Sequence, residues 1–444
     1  MSGGWLSRVI TSGQGASLRA QLMRGAMGVG GLRLLSLLFT MTASILLARG
    51  LGPEGYGQYT FVITLITTLS IPLAPALMQL TIRETARMHQ AGDNDRIRAL
   101  LRWANRHVLF GSVLIIVTVG GIAAWLTGLR VDDRWTLLLI GLVALPLLGL
   151  NAVRAGILAG LRRVVLGQLP DLFVRPLVLL FVAGVLLVAG CLNPLTAVVA
   201  FVAGAALALV IGTLLLGHTF PEPQGTSPPM DATQKSQWMR AWMPFTLLMA
   251  ASTLNAQIGI LLLGWLTTNE EVAAMQVAQR GSMLLVFSLA VVNLVIGPHV
   301  AQLHRSGDRD RLQGLSRYSA RMALLVTLPI ALPLIFFGAP ILRIVFGAEY
   351  AAIATLPLAI LAVGQVINVA FGSVGLLLIM SGHENDPLWT QGASLLVTIF
   401  VAIVLIPKFF ATGAAIAVAL GVVLSNILQA IMVFYRIRVV PTCF

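Results

Sequence analysis

Arg280 stands inside a long apolar run, VAAMQVAQRGSMLLVFSLAVVNLVIG (272–297), with Gln276 and Gln279 as its nearest polar companions. It lies about eight residues into a membrane-length segment, roughly 12 Å of helix rise from the nearer end. A charge at that depth is costly unless it is paired or wetted. None of the 16 carboxylates falls in the middle of an apolar run, so no partner of opposite sign is built into a span. A mobile anion would supply one, and phosphate suits a guanidinium because its oxygens match the fork of N–H groups. Arg154, near the inner end of the fourth run, and Arg33, near the start of the first, offer the same chemistry. For these two a second reading stands beside it: the side chain snorkels to lipid headgroups or simply holds the topology.

Uncharged polar residues add a second layer. Asn255 and Gln257 fall in the seventh run, Asn293 in the eighth, and Gln365 with Asn368 in the tenth. Gln365 and Asn368 are three apart and share a helix face. Asn255 and Gln257 are two apart and do not, so at least one of them reads as helix-to-helix glue. Amides on a wetted face suit hydroxyl-rich sugars, and interhelical hydrogen bonds are the alternative for each.

The elements that must position these residues follow from composition. The chain is 58% hydrophobic and 10% charged over 444 residues, with a mean hydropathy of +0.92. A soluble surface needs far more charge. Stretches of about 20 apolar residues span a bilayer as helix, and neither strand alternation nor barrel girdles appear. The runs predict twelve helical spans: 28–48, 58–81, 107–128, 135–157, 170–190, 194–217, 243–266, 272–298, 321–342, 350–380, 391–407 and 411–435.

Net charge is +13, which raises the question of nucleic acid, but the distribution answers it. With alternate loops on opposite sides, only Arg49, Arg130, Arg134, Arg343 and Lys408 lie opposite the basic side, and Arg280 lies inside a span. That is the positive-inside pattern, so both termini are expected in the cytoplasm and no nucleic-acid partner is. Trp135 and Trp265 are expected at the outer edge, and Trp103, Trp238, Trp242 and Trp389 at the inner one. Tyr56 and Tyr59 are expected at outer headgroup depth. Cys191 falls outside and Cys443 inside, so no disulfide follows.

No polar segment is long enough for a soluble domain. PEPQGTSPPMDATQKSQ (221–237) has linker composition and divides the chain into an N-terminal six-helix bundle (1–217), a cytoplasmic linker (218–242) and a C-terminal six-helix bundle (243–444). LLARGLGPEGYGQY after span one is weakly echoed by LLLGWLTTNEEVAAMQ after span seven, as parallel repeats would give. GLGPEGYG lacks the lysine and hydroxyl of a phosphate loop and reads as a tight turn. GxSxG, HExxH, CxxC and GxxxxGK[ST] are absent and the six histidines are scattered. No enzyme, metal site or cofactor is therefore expected.

LLARGLGPEGYGQYTFV (46–62), LLLGWLTTNEEVAAMQVA (261–278), VFGAEYAAIATLPLAILAVGQVINVAFG (345–372) and the span order together resemble the Wzx-like oligosaccharide flippases. These belong to the multidrug/oligosaccharidyl-lipid/polysaccharide (MOP) exporter superfamily, related to MATE transporters. The resemblance implies two bundles around a central cavity that opens alternately to each side of a bacterial inner membrane. It implies export of an undecaprenyl-pyrophosphate-linked oligosaccharide from inner to outer leaflet, for O-antigen, capsule or exopolysaccharide. Partners would be that polyprenyl-pyrophosphate glycan, membrane lipids, and the polymerase and chain-length machinery of the same pathway. Cationic cavity residues would meet the pyrophosphate, a role that Arg154 and Arg280 match by depth. The family often has an Asp in span seven where this chain has Asn255 or Gln257, and Ala273 to Met275 replaces a Gly-x-Tyr, so coupling through a carboxylate is not implied. The alternatives are a peptidoglycan-precursor flippase, a MATE-like small-molecule exporter or, in other classes, a polysaccharide polymerase or ligase and a structural membrane protein.

Overall fold

A computed structural model describes residues 18–127, 133–219, 232–306, 308–383 and 385–440. Arg130, Cys443 and residues 220–231 of the linker lie outside the described residues. In chain order the α-helices are α1 (Leu18–Leu69), α2 (Pro75–Gln90), α3 (Asn94–Thr127), α4 (Asp133–Gly141), α5 (Ala144–Gly160) and α6 (Val164–Leu169). A π-turn at Pro170–Val174 leads into α7 (Arg175–Val188), then α8 (Pro194–Thr219), α9 (Ala232–Leu266) and α10 (Asn269–Ser306). The rest are α11 (Arg309–Phe336), α12 (Gly338–Val345), α13 (Ala348–Phe371), α14 (Val374–Met380) and α15 (Asn385–Ile437).

Among the described residues, nine helical segments are long and apolar enough to cross a membrane. Two of them fold back on themselves. In α1 the turn falls at Gly52, whose φ of 69° glycine adopts without a Cβ clash. Beyond it Tyr56 Oη comes within 3.1 Å of Ser44 Oγ, atoms that a straight helix would hold about 18 Å apart. In α15 the turn is at Phe410 (φ 50°), and Ser394 Oγ donates to Gly421 O at 2.6 Å across the hairpin. The remaining expected span, 272–298, lies within α10, which is not one of the nine. The protein is an all-α polytopic membrane protein.

The tenth span departs from expectation. The run 350–380 predicts one helix, but at about 1.5 Å per residue it would outrun a bilayer core. It breaks at Gly372 (φ 70°) into α13 and α14. Ser373 Oγ at the break is hydrogen-bonded to Asn293 Oδ1 of α10, so the interrupted backbone is held from the neighbouring helix. Irregular backbone at membrane depth is tolerated where it is buried or lines a cavity, and this break does the latter.

In the N-terminal half α5 packs against α2, α3 and α8, while α7 lies between α1 and α8. In the C-terminal half α13 packs against α10, α11 and α15, and α9 against α15. The halves meet where α1 crosses α10 and where α2 crosses α9. Approach at the first crossing is so close that a Cβ on Gly57 would lie 1.8 Å from the Asn269 carbonyl oxygen. Around it Tyr350 Oη donates to Ala48 O at 2.9 Å, and Arg49 Nε donates to Val345 O at 2.9 Å with Nη2 on Ile344 O.

This crossing corrects the placement of the tyrosines. Tyr56 is 1% exposed and Tyr59 7%, in a cluster with Tyr350, because the glycine corner draws α1 onto the opposite half and takes the rings out of the interface. Trp103 and Trp238 likewise pack against each other in the core of the N-terminal half instead of facing lipid. Trp242 Nε1 donates to Pro72 O at 2.8 Å nearby. Trp265 and Trp389 are exposed at span ends, as expected.

Candidate functional site

A cavity of about 550 Å³ opens inside the C-terminal half, walled by α9, α10, α13, the Gly372 break and both arms of α15. Its lining includes Arg280, Asn255, Gln257, Gln365 and Asn368, five of the seven residues singled out from sequence, together with Asn293. Among the described residues no Asp or Glu lines it.

Arg280 reaches the cavity from α10 one turn after Gln276. With the Gln276 amide set so that its oxygen faces the guanidinium, that oxygen accepts from both Nε and Nη2 of Arg280 at 3.2 Å. No carboxylate lies within ion-pair distance of Arg280 among the described residues. The helix therefore holds the cation by a neutral acceptor, which fixes the direction of the fork without cancelling its charge. Such a cation attracts an anion more strongly in a partly enclosed site than in bulk water.

The amides form a connected wall. Asn426 Nδ2 donates to Asn368 Oδ1 at 2.9 Å, and Asn368 Nδ2 donates to Gln365 Oε1 at 3.0 Å. Gln365 and Asn368 thus share the face that their spacing of three requires. Gln429 Nε2 donates to Ser425 Oγ at 3.0 Å one turn along. Asn255 Nδ2 donates to Ala251 O at 3.0 Å and to Gln391 O at 2.9 Å, tying α9 to α15. Asn255 is interhelical glue that also borders the cavity, and Gln257 lines the cavity beside it.

Sequence reasoning missed Asn426 and Gln429. They too are three apart in an apolar span, the same signal that marks Gln365 and Asn368, so the pattern was readable. What joins the two pairs is the fold: the second arm of α15 lies along α13.

Arg154 and Arg33 are not in this cavity. Arg33 is exposed on the first arm of α1. Arg154 projects from α5 between α3 and α8: Nε donates to Thr213 Oγ1 at 2.7 Å, and Nη1 donates to Leu150 O at 2.7 Å and Asn105 Oδ1 at 3.4 Å. Arg175, at the start of α7, is paired with Asp171 of the π-turn, 3.5 Å away, and lies over the Phe201 ring. Among the described residues no group of His, Cys, Asp and Glu is arranged to hold a metal ion.

Comparison with known proteins places this architecture. The fold resembles an inward-facing multidrug resistance MATE family transporter of the MOP superfamily, with a TM-score of 0.76 at 15% identity over 92% of this chain and 98% of that one. A protein of Haloferax volcanii named as a low-salt glycan biosynthesis flippase, Agl15, is 25% identical over 38% of this chain and 36% of its own length. An O-antigen transporter by name, from Shigella flexneri, is 33% identical over 26% of this chain and 28% of its own. The matched stretches thus span about a third of the length of these relatives. The MatE family matches residues 244–404. The polysaccharide biosynthesis protein family matches residues 22–304, nearly two thirds of the chain and including both the Gly52 corner and Arg280, and the chain belongs to that family.

Proposed function

We propose that this protein moves a lipid-linked oligosaccharide across the membrane, as a transporter and not as a catalyst. The substrate is an undecaprenyl-pyrophosphate-linked glycan, carried from the inner to the outer leaflet of a bacterial inner membrane for surface polysaccharide export. The two bundles, 1–217 and 243–444, are the units that move against each other, and the polymerase and chain-length machinery take up the product.

The observation that carries this reading is the C-terminal cavity: one guanidinium that has no carboxylate partner among the described residues, set among amides and serines. An anion next to hydroxyl-rich sugar satisfies both features at once. The guanidinium takes phosphate oxygens and the amides exchange their mutual hydrogen bonds for sugar hydroxyls. The prenyl chain stays in the bilayer, so the protein need not hold it. Export of small cations, the rival within the same fold, lacks support because no carboxylate lines the cavity among the described residues. The names of the Haloferax and Shigella relatives agree with glycan transport.

The test is leaflet transfer of a fluorescent polyprenyl-pyrophosphate oligosaccharide in vesicles containing the purified protein. Transfer above that of empty vesicles, lost in Arg280→Ala, supports the reading. Transfer of a cationic dye with no transfer of the lipid-linked glycan contradicts it.

A further inference from the structure

The second uncompensated arginine has a different outlook from the first. Helices α3 and α8 flank α5 without packing on each other, and Arg154 reaches from α5 into the gap between them. Its Nε and Nη1 are bound to Thr213 of α8, to Asn105 of α3 and to the α5 backbone, while Nη2 has no partner among the described residues. Among the described residues no carboxylate pairs with it. One turn deeper, Asn151 is 2% exposed with both carboxamide atoms unpaired, packed so closely on Gly212 that a Cβ there would come within 2.5 Å. The floor of the gap is therefore polar for two turns of helix.

The gap faces lipid. Helix α8 makes no substantial contact with any helix of the C-terminal half. Thr213 shares an exposed face with Val210 and Leu214, and beyond Asn105 the exposed face of α3 continues with Leu109, Phe110 and Val113. Depth can be read along α3. Trp125, 81% exposed, marks the far interface, and Asn105 lies about 30 Å of helix from it, the thickness of the hydrocarbon core. Asn105 and the guanidinium bound to it are thus at the opposite headgroup level. One turn further out Arg102 is exposed on the same face of α3 as Asn105, and it too has no ion pair among the described residues.

We infer that the α3–α5–α8 gap is a binding site for an anionic phospholipid of the leaflet that the charge pattern assigns to the cytoplasm. Its phosphate sits on Arg154 Nη2 and Arg102, and its acyl chains lie along the apolar faces of α3 and α8. The site needs no transported substrate and stands apart from the cavity at Arg280. Charge complementarity selects the occupant: two guanidinium groups at headgroup depth attract a net-negative headgroup over a zwitterionic one.

Native mass spectrometry of the full-length protein in detergent, titrated with phosphatidylglycerol or phosphatidylcholine, tests this. The wild type is expected to retain phosphatidylglycerol about tenfold more tightly than phosphatidylcholine, and Arg154→Gln to lose most of that preference, while Arg280→Gln keeps it. Should Arg154→Gln fail to fold, Arg102→Gln and Thr213→Leu read the same site from α3 and α8, and each is expected to reduce the preference. An unchanged preference in all variants that fold overturns the proposal. So does displacement of phosphatidylglycerol by an equimolar polyprenyl pyrophosphate, because the site would then belong to the transported lipid.

Discussion

Arg280 and Arg154 have the same chemistry and opposite surroundings. Both are half-buried, both are oriented by neutral acceptors, and neither has a carboxylate partner among the described residues. Arg280 looks into a cavity walled by amides from four helices, whereas Arg154 looks into a gap between two helices whose outer faces are apolar. A guanidinium alone therefore does not define a transport site. What distinguishes the two is the second ring of groups: hydrogen-bonding amides that suit a sugar, or aliphatic side chains that suit an acyl tail.

The largest expected effect falls on the cavity cation. Truncating one member of a hydrogen-bonded charge pair costs about 2–5 kcal/mol, so Arg280→Ala is expected to lower glycan transport by about thirtyfold or more, measured as initial rate in vesicles. Equal losses from Arg154→Gln would erase the contrast between the two arginines. The expected loss there is less than about threefold, arising only through weaker lipid association.

Next comes the crossing of the two halves. Even a single Cβ at Gly57 meets the Asn269 carbonyl well inside van der Waals distance, so Gly57→Val must push α1 and α10 apart. The expected outcome is a fall in thermal midpoint together with increased cysteine labelling of residues near Tyr56. Unchanged labelling would mean that the crossing is not what buries Tyr56.

A smaller effect is expected in the amide wall. Asn368→Leu breaks the links to Gln365 and Asn426 and leaves both partners short of a hydrogen bond, at about 1–3 kcal/mol. Transport is expected to fall by about tenfold with Arg280 intact. Asn368→Asp adds a carboxylate near the cation and is expected to weaken an anionic substrate further, which separates charge from packing. The smallest effect is expected for Arg33→Gln, whose side chain is exposed on α1, and its transport rate should stay within about twofold of wild type.

These comparisons also mark what the sequence could show. The crossings follow from the length of each apolar run and the shared face of Gln365 and Asn368 from helical periodicity, both of them properties of one helix at a time. The depth of Arg280 follows from its position in an apolar run. The direction of Arg154 does not, because a residue's depth says nothing about which neighbours stand on either side of it. Tyr56 and Tyr59 misled for a related reason. Interface preference places a lone tyrosine at headgroup depth, but the Gly52 corner and the bare backbone at Gly57 let the opposite half close over them. The meeting of Asn426 with Asn368 depends on the α15 hairpin at Phe410; the gap between the runs 391–407 and 411–435, with Pro407 at its edge, marks that turn, but not which residues of the two arms come to lie beside α13.

Whether the cavity cation meets the charged end of the substrate is tested most directly by equilibrium binding. A short-chain prenyl-pyrophosphate oligosaccharide and the same oligosaccharide without phosphate would be titrated into wild type and Arg280→Ala. The predicted result is that Arg280→Ala weakens the phosphorylated ligand by about thirtyfold and leaves the neutral one nearly unchanged. Equal weakening of both ligands, or of neither, would contradict it.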